Sequence, residues 1–267
     1  LVTELISSAA VENSLKKERM QTELITNVSH DLKTPLTLIL SPLQRLIQQP
    51  QISNNDKEKL EVIYRNANRM NYLINELLTF SKIEMKQMRI SVRKGDIMHF
   101  LEELSHIFDI VAGEREIDFI VNLEDTEEEV WFSPSKLERI LYNLLSNAFK
   151  YTQPGGYVKL SAKLIKEEKG TFVQISVKDN GRGIPKEAQE QIFESYYQVE
   201  KRDHREGFGL GLSLTRSLIH MHKGEIRVES EINKGSDFIV TLNVSEDAYG
   251  PDERSSENIT TEEIQKY

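Results

Sequence analysis

Apolar side chains at Leu60, Ile63, Ala67, Met70, Ile74 and Leu77 fall alternately 3 and 4 residues apart, the period of a helix that packs one stripe against another helix. Upstream, Val28, Leu32, Ile39, Leu43 and Leu46 return at helical spacing, interrupted by Pro35 and Pro42, each of which is expected to bend the helix or free a carbonyl. Gln49, Pro50 and the run Ser53 to Asp56 break the two helices apart. The spacing therefore predicts a helical hairpin over 21–90, preceded over 1–20 by a polar signalling helix that ends in Lys16, Lys17, Glu18 and Arg19. A lone hairpin leaves its seam wet. Pairing two into a four-helix bundle buries it, so a homodimer is expected.

After about Ser91 the texture changes to short alternating stretches and helices. Strands are expected over 116–123, 157–164, 171–179, 226–230 and 238–244, and helices over 134–150 and 209–220. That pattern predicts an α+β chain: the hairpin, then a mixed α/β domain over 91–245 with helices against one sheet. From 246 to 267 the chain is polar and nearly without apolar spacing, and reads as a linker. Two such units fit 267 residues, and 38% hydrophobic with 29% charged residues is ordinary for soluble globular domains. No apolar run reaches the length of a bilayer crossing. The absence of cysteine removes disulfides, thiolate metal sites and a cysteine nucleophile, and a formal charge of −9 argues against direct nucleic-acid binding.

Four constellations carry chemistry. In NVSHDLKTPL, His30 lies about 200° around the helix from both Val28 and Leu32, so it faces water if they face the seam. An exposed imidazole is a usable nucleophile; Asp31 can take up its proton, Thr34 shares its face, and Pro35 loosens the helix beside it. Taken alone, the same histidine reads more readily as a solvated surface residue. In NLLSN, Asn143 and Asn147 stand at i and i+4, with Lys150 and Tyr151 about a turn later. Their amide oxygens suit Mg²⁺, which draws the rest of its shell from water and nucleotide phosphates, and the lysine suits a phosphate oxygen; a plain polar helix face fits the same residues. DNGRGI puts Asp179 at a strand end before two glycines, able to accept from an adenine amino group, or simply forming a turn. GFGLGL sets Gly207, Gly209 and Gly211 at a helix start, where bared amides favour anions, although neither a Rossmann nor a P-loop spacing is present. Between the glycine elements, 185–206 holds Phe193, Tyr196, Tyr197 and a charged run, suggesting either a lid or a bland loop.

In this order and spacing the motifs resemble those of the sensor histidine kinases of two-component signalling. NVSHDLKTPL looks like the H box, NLLSNAFKYT the N box, DNGRGI the first glycine box, IFESYY the F box and GFGLGL the second, over about residues 20–244. The resemblance implies a dimerisation and phosphoacceptor hairpin followed by a Bergerat-type α/β sandwich that binds ATP and Mg²⁺, as in gyrase and heat-shock chaperones. It implies His30 as phosphoacceptor, Asp31 as its base and Thr34 as the group positioning water in a phosphatase reaction. Asn147, assisted by Asn143, would hold Mg²⁺; Lys150 would meet phosphate, Tyr151 the adenine side and Asp179 the adenine amino group. Gly181, Gly183, Ile184, Gly207, Gly209, Leu210 and Gly211 would line the nucleotide and hinge the lid.

The chain departs from the family at Leu24, where an aromatic is usual, and at Asp237, where a threonine is common. Arg202 and Arg205 are candidates for a lid cation. The implied partners are a second copy and a response-regulator receiver domain, separate or fused. The implied location is the cytoplasmic part of a bacterial inner-membrane protein with an upstream sensor. Two other readings share the nucleotide fold: an ATPase switch that phosphorylates no histidine, and a scaffold that has lost catalysis. The first wants a water-activating carboxylate in the N-box helix, where Glu138 is the one acidic residue.

Overall fold

The computed structural model describes residues 32, 36–47, 53–85, 87–126, 128–198 and 209–260. They fall into two compact units that divide between Met88 and Arg89.

The first unit contains α1, over 36–47, and α2, Asn54–Glu84. Pro42 lies inside α1, which runs through it, so its effect is confined to the carbonyl one turn back that it leaves without a donor. Ser53 is the cap of α2: its Oγ accepts from the Asp56 amide at 3.2 Å, so the expected break at 53–56 is in fact the cap and first turn of the helix. The predicted seam divides in two. Ala67 and Ile74 are buried with Leu36, and Leu40 and Leu78 pack against them, whereas Ile63 and Met70 remain 49% and 50% exposed. Both pairs keep the seven-residue repeat. One joins the hairpin internally, and the other faces outward together with the exposed Leu38 and Ile39 of α1.

The second unit is built on a five-stranded sheet in the order β2-β4-β5-β7-β6. Its strands are β2 (Asp118–Leu123), β4 (Tyr157–Glu167), β5 (Gly170–Asp179), β6 (Glu225–Glu231) and β7 (Gly235–Asn243); β2 runs parallel to β4 and the remaining pairs are antiparallel. Alternation puts Val158, Leu160 and Ala162, then Val173, Ile175 and Val177, then Phe238, Val240 and Leu242 on one face, all buried. Against that face lie α3 (Ile97–Arg115), α4 (Pro134–Tyr151) and α5 (Gly211–Met221). Phe108 stacks on Phe149 with centroids 5.6 Å apart and also touches Phe119 and Tyr142, locking α3 and α4 to the sheet edge. Two short strands, β1 (Arg93–Asp96) and β3 (Glu129–Phe132), form a separate antiparallel pair.

The tail differs from its reading as a linker. Over 246–260 it folds onto β1: the Val92 amide donates to Glu253 O at 2.8 Å, Ser255 N–H to Val92 O at 2.9 Å, and Ile259 N–H to Lys94 O at 2.9 Å. Ile259 is buried against Gly95, and Tyr249, 3% exposed, donates its hydroxyl to the carbonyls of Asn243 and His222. Two isolated apolar residues in a polar run give no periodic signal, so composition conceals this packing. Among the described residues no helix is long and apolar enough to cross a membrane.

His222, fully buried at the end of α5, bridges to the start of α4. Its Nδ1 bonds the Leu218 carbonyl at 3.0 Å, and its Nε2 accepts from the Ser133 amide at 3.2 Å. Burial, with Lys136 adding to it, lowers its pKa from 6.5 to about 4 against the opposing Leu218 bond. The unfolded chain therefore takes up a proton near pH 6.5 that the folded ring refuses until about pH 4. Stability is expected to fall across that window as pH drops, by up to about 3 kcal/mol, and to be independent of this group above it. Urea melts at neutral and mildly acid pH test this: His222→Gln should show a shallower loss than wild type, and equal slopes would refute it.

Candidate functional site

Helix α4 supplies one wall. Its apolar residues Leu137, Ile140, Leu141, Leu144, Leu145, Ala148 and Phe149 are buried. That leaves Asn143, Asn147, Lys150 and Tyr151, spaced at i, i+4, i+7 and i+8, along a single half-buried stripe. Lys150 Nζ donates to the Tyr151 hydroxyl at 3.1 Å and lies 4.8 Å from the ring centroid, while the Arg182 guanidinium stands 4.4 Å from the same ring. Two cations about one aromatic ring make the C-terminal end of the stripe positive.

The second wall is the turn leaving β5. Asp179 is 4% exposed and sits on the sheet's helix-packed face, paired in register with Ser236. Its carboxylate accepts from the Gly181 amide at 2.8 Å and from the Ser236 amide. Burial raises its pKa all the same, outweighing those two bonds, and nearby Asp237 adds to the rise. A Cβ on Gly181 would lie 2.3 Å from the Tyr151 carbonyl oxygen, so only glycine lets this turn close on the end of α4. Beyond it, the Arg182 carbonyl accepts from Asn233 at 2.8 Å and the Ile184 amide donates to Ser230 Oγ at 2.8 Å, tying Gly183 and its neighbours to the β6–β7 turn.

The third wall is the start of α5. Leu210 is buried and precedes the first turn; a Cβ on Gly211 would lie 2.7 Å from Asn143 Oδ1, and Asn143 Nδ2 donates to Thr215 Oγ1 at 2.7 Å. Gly209 O accepts from the Tyr196 amide at 3.0 Å, so the chain on either side of 199–208 meets here.

Among the described residues, direct contacts thus join Asn143, Tyr151, Asp179, Gly181 and Gly211 around α4. Asn147 and Lys150 lie on the same stripe, and Gly183, Ile184, Gly209 and Leu210 in the adjoining turns. His30, Asp31, Thr34, Gly207, Arg202 and Arg205 lie outside the described residues. Asp237, the departure noted above, accepts from Ser176 Oγ at 2.6 Å and falls between Ser236 and Phe238, hence on the opposite sheet face from Asp179. Thr215, Ser230 and Ser236 were not singled out by sequence, because their partners are distant in the chain and lack a local signature. No three His, Asp or Glu among the described residues could hold a metal by themselves. Two neutral amide side chains one turn apart on α4 instead fit an ion such as Mg²⁺ that keeps water and phosphate ligands.

Residues 20–86 match the His Kinase A (phospho-acceptor) domain model, and residues 132–246 match the histidine kinase-, DNA gyrase B-, and HSP90-like ATPase model. The chain belongs to the sensor histidine kinases. Histidine kinase P4 of Formosa agariphila is 35% identical over 87% of this chain and 17% of its own length. Sensor histidine kinase WalK of Bacillus subtilis is 33% identical over 87% of this chain and 38% of its own. The kinase core described here is therefore a minor part of either relative. Among solved structures, full-length ShkA in complex with AMPPNP superposes with a TM-score of 0.71 at 25% identity, over 84% of this chain and 46% of that one. The ATPase match begins at Phe132 and so spans all three walls of the site, and the phospho-acceptor match includes His30.

Proposed function

We propose that this kinase core transfers the γ-phosphoryl group of ATP to His30 and then to an aspartate of a receiver domain, separate or fused. The observation that carries the reading is the meeting of α4, the Asp179 turn and the glycine start of α5 on one stripe, with the Asp179 turn and the cations together at Tyr151 and the Asn143 amide against Gly211. In this reading Asp179 accepts from the adenine amino group, Tyr151 flanks the base, and Lys150 meets phosphate. Gly181, Gly183, Ile184, Gly207, Gly209, Leu210 and Gly211 line the nucleotide. Asn147 and Asn143 are the residues that would hold Mg²⁺, which when bound neutralises phosphate charge. Asp31 takes the proton of His30 as a ring nitrogen bonds to the γ-phosphorus and the bond to the bridging oxygen breaks, releasing ADP. Thr34 positions water when the reaction runs as a phosphatase.

The outward pair Ile63 and Met70 supports a four-helix dimer, since a second hairpin would cover them. A cytoplasmic position beneath an upstream membrane sensor belongs to the same proposal. The ATPase-switch reading is less well supported: Glu138 is five residues before Asn143, about 140° around α4, and so points away from the asparagine stripe. Incubation with γ-labelled ATP tests the proposal directly. The label on the protein should be lost in acid and survive alkali; no label, with ATP binding intact, would favour the scaffold reading.

A further inference from the structure

The three hydroxyl residues of α5 are used differently. Ser213 Oγ donates to the Leu210 carbonyl at 2.9 Å and Ser217 Oγ to the Ser213 carbonyl at 3.0 Å, both within the helix and its cap. Thr215, 1% exposed, instead receives the Asn143 Nδ2 donor from the neighbouring helix at 2.7 Å. The Asn143 amide packs on the first turn of α5, with its nitrogen bonded to Thr215 and Oδ1 the atom nearest Gly211: a Cβ there would lie 2.7 Å from Oδ1 and 3.3 Å from Nδ2. The terminal torsion of an asparagine is broad and roughly twofold, so nothing intrinsic to Asn143 selects which end faces the nucleotide. An amide nitrogen turned toward a cation repels it; an amide oxygen ligates it.

We propose that Thr215 is a positioning residue, which by taking the nitrogen end of Asn143 keeps Oδ1 available to the metal–nucleotide complex. This rests on the reading of Asn143 as a residue of the Mg²⁺–ATP site. Thr215 also lies one turn after Gly211, so the helix whose glycine start faces the nucleotide is the one that orients the amide. A ligand's supporting hydrogen bond commonly governs metal affinity in this way.

The test is calorimetric titration of ATP into the full chain, with Mg²⁺ and with EDTA, for wild type, T215V, T215A, T215S and N143A. Thermal melts check that each variant is folded. The readout is the ratio of the two ATP affinities, which does not depend on catalysis. T215V and T215A should lower that ratio roughly 10-fold while sparing the affinity in EDTA, and T215S should restore it. Alanine removes the hydroxyl without adding bulk, so it carries the test if valine perturbs the fold. A wild-type ratio in both T215V and T215A, with a lowered ratio in N143A, overturns the proposal. So does an equal loss with and without Mg²⁺ that T215S fails to restore, since that marks packing alone. If N143A leaves the ratio unchanged, the site reading itself fails.

Discussion

His30→Gln is expected to abolish labelling by γ-labelled ATP and to leave nucleotide affinity unchanged. Glutamine approximates the size and polarity of histidine, but its amide nitrogen has no lone pair free for attack on phosphorus. His30 belongs to the segment matched by the phospho-acceptor model, whereas every residue proposed to hold the nucleotide lies beyond residue 140. The two functions should therefore separate cleanly. Calorimetry and autoradiography on the same preparation read both, and persistent acid-labile label in the variant would refute the assignment.

Asp179→Asn should do the reverse, removing ATP binding without weakening the fold. The carboxylate already accepts two backbone amides, from Gly181 and Ser236, and the proposed adenine amino group is a third donor. An asparagine must present its own NH₂ to one of them, placing donor against donor. Losing a hydrogen bond to a charged acceptor costs about 1.5–3 kcal/mol, roughly 10- to 150-fold in affinity. Stability moves differently. Because burial raises the Asp179 pKa above 3.8, the folded state holds its proton more tightly than the unfolded chain does, and stability declines as pH rises from that value through the raised one. At neutral pH the buried charge opposes folding, and the neutral amide removes that opposition. The expected result is a Tm at pH 7 no lower than wild type with ATP affinity greatly reduced. A variant that melts early and still binds ATP would contradict both halves.

The elements that position this site were legible where their pattern is local. Alternation over 171–179 and the buried stripe of α4 placed β5 and its partner helix to within a residue or so of their ends, and the asparagine spacing followed from helical period alone. The helix α3 carries a local signal as well, since Ile97, Leu101, Leu104 and Phe108 repeat at 4 and 3 residues and Asp96 caps it, accepting from His99 N–H at 3.0 Å, although it is not among the helices expected above. Other features had none. The pairing of Asp179 with Ser236 and the bond from Asn143 to Thr215 join residues 57 and 72 positions apart, which no window along the chain can reveal. The glycines of the two boxes were visible as residues, but the reason for Gly181, a carbonyl of α4 pressed against it, is a property of the fold.

The hydrogen bonds from the tail to Val92 and Lys94 bring the two margins of the ATPase unit side by side. Trimming the protein after residue 245, where composition invites a cut, would empty the socket filled by Ile259, take the Tyr249 hydroxyl from the carbonyls of Asn243 and His222, and remove the backbone hydrogen bonds that the tail makes to Val92 and Lys94. A self-standing nucleotide-binding piece should accordingly run from Arg89 through at least residue 260.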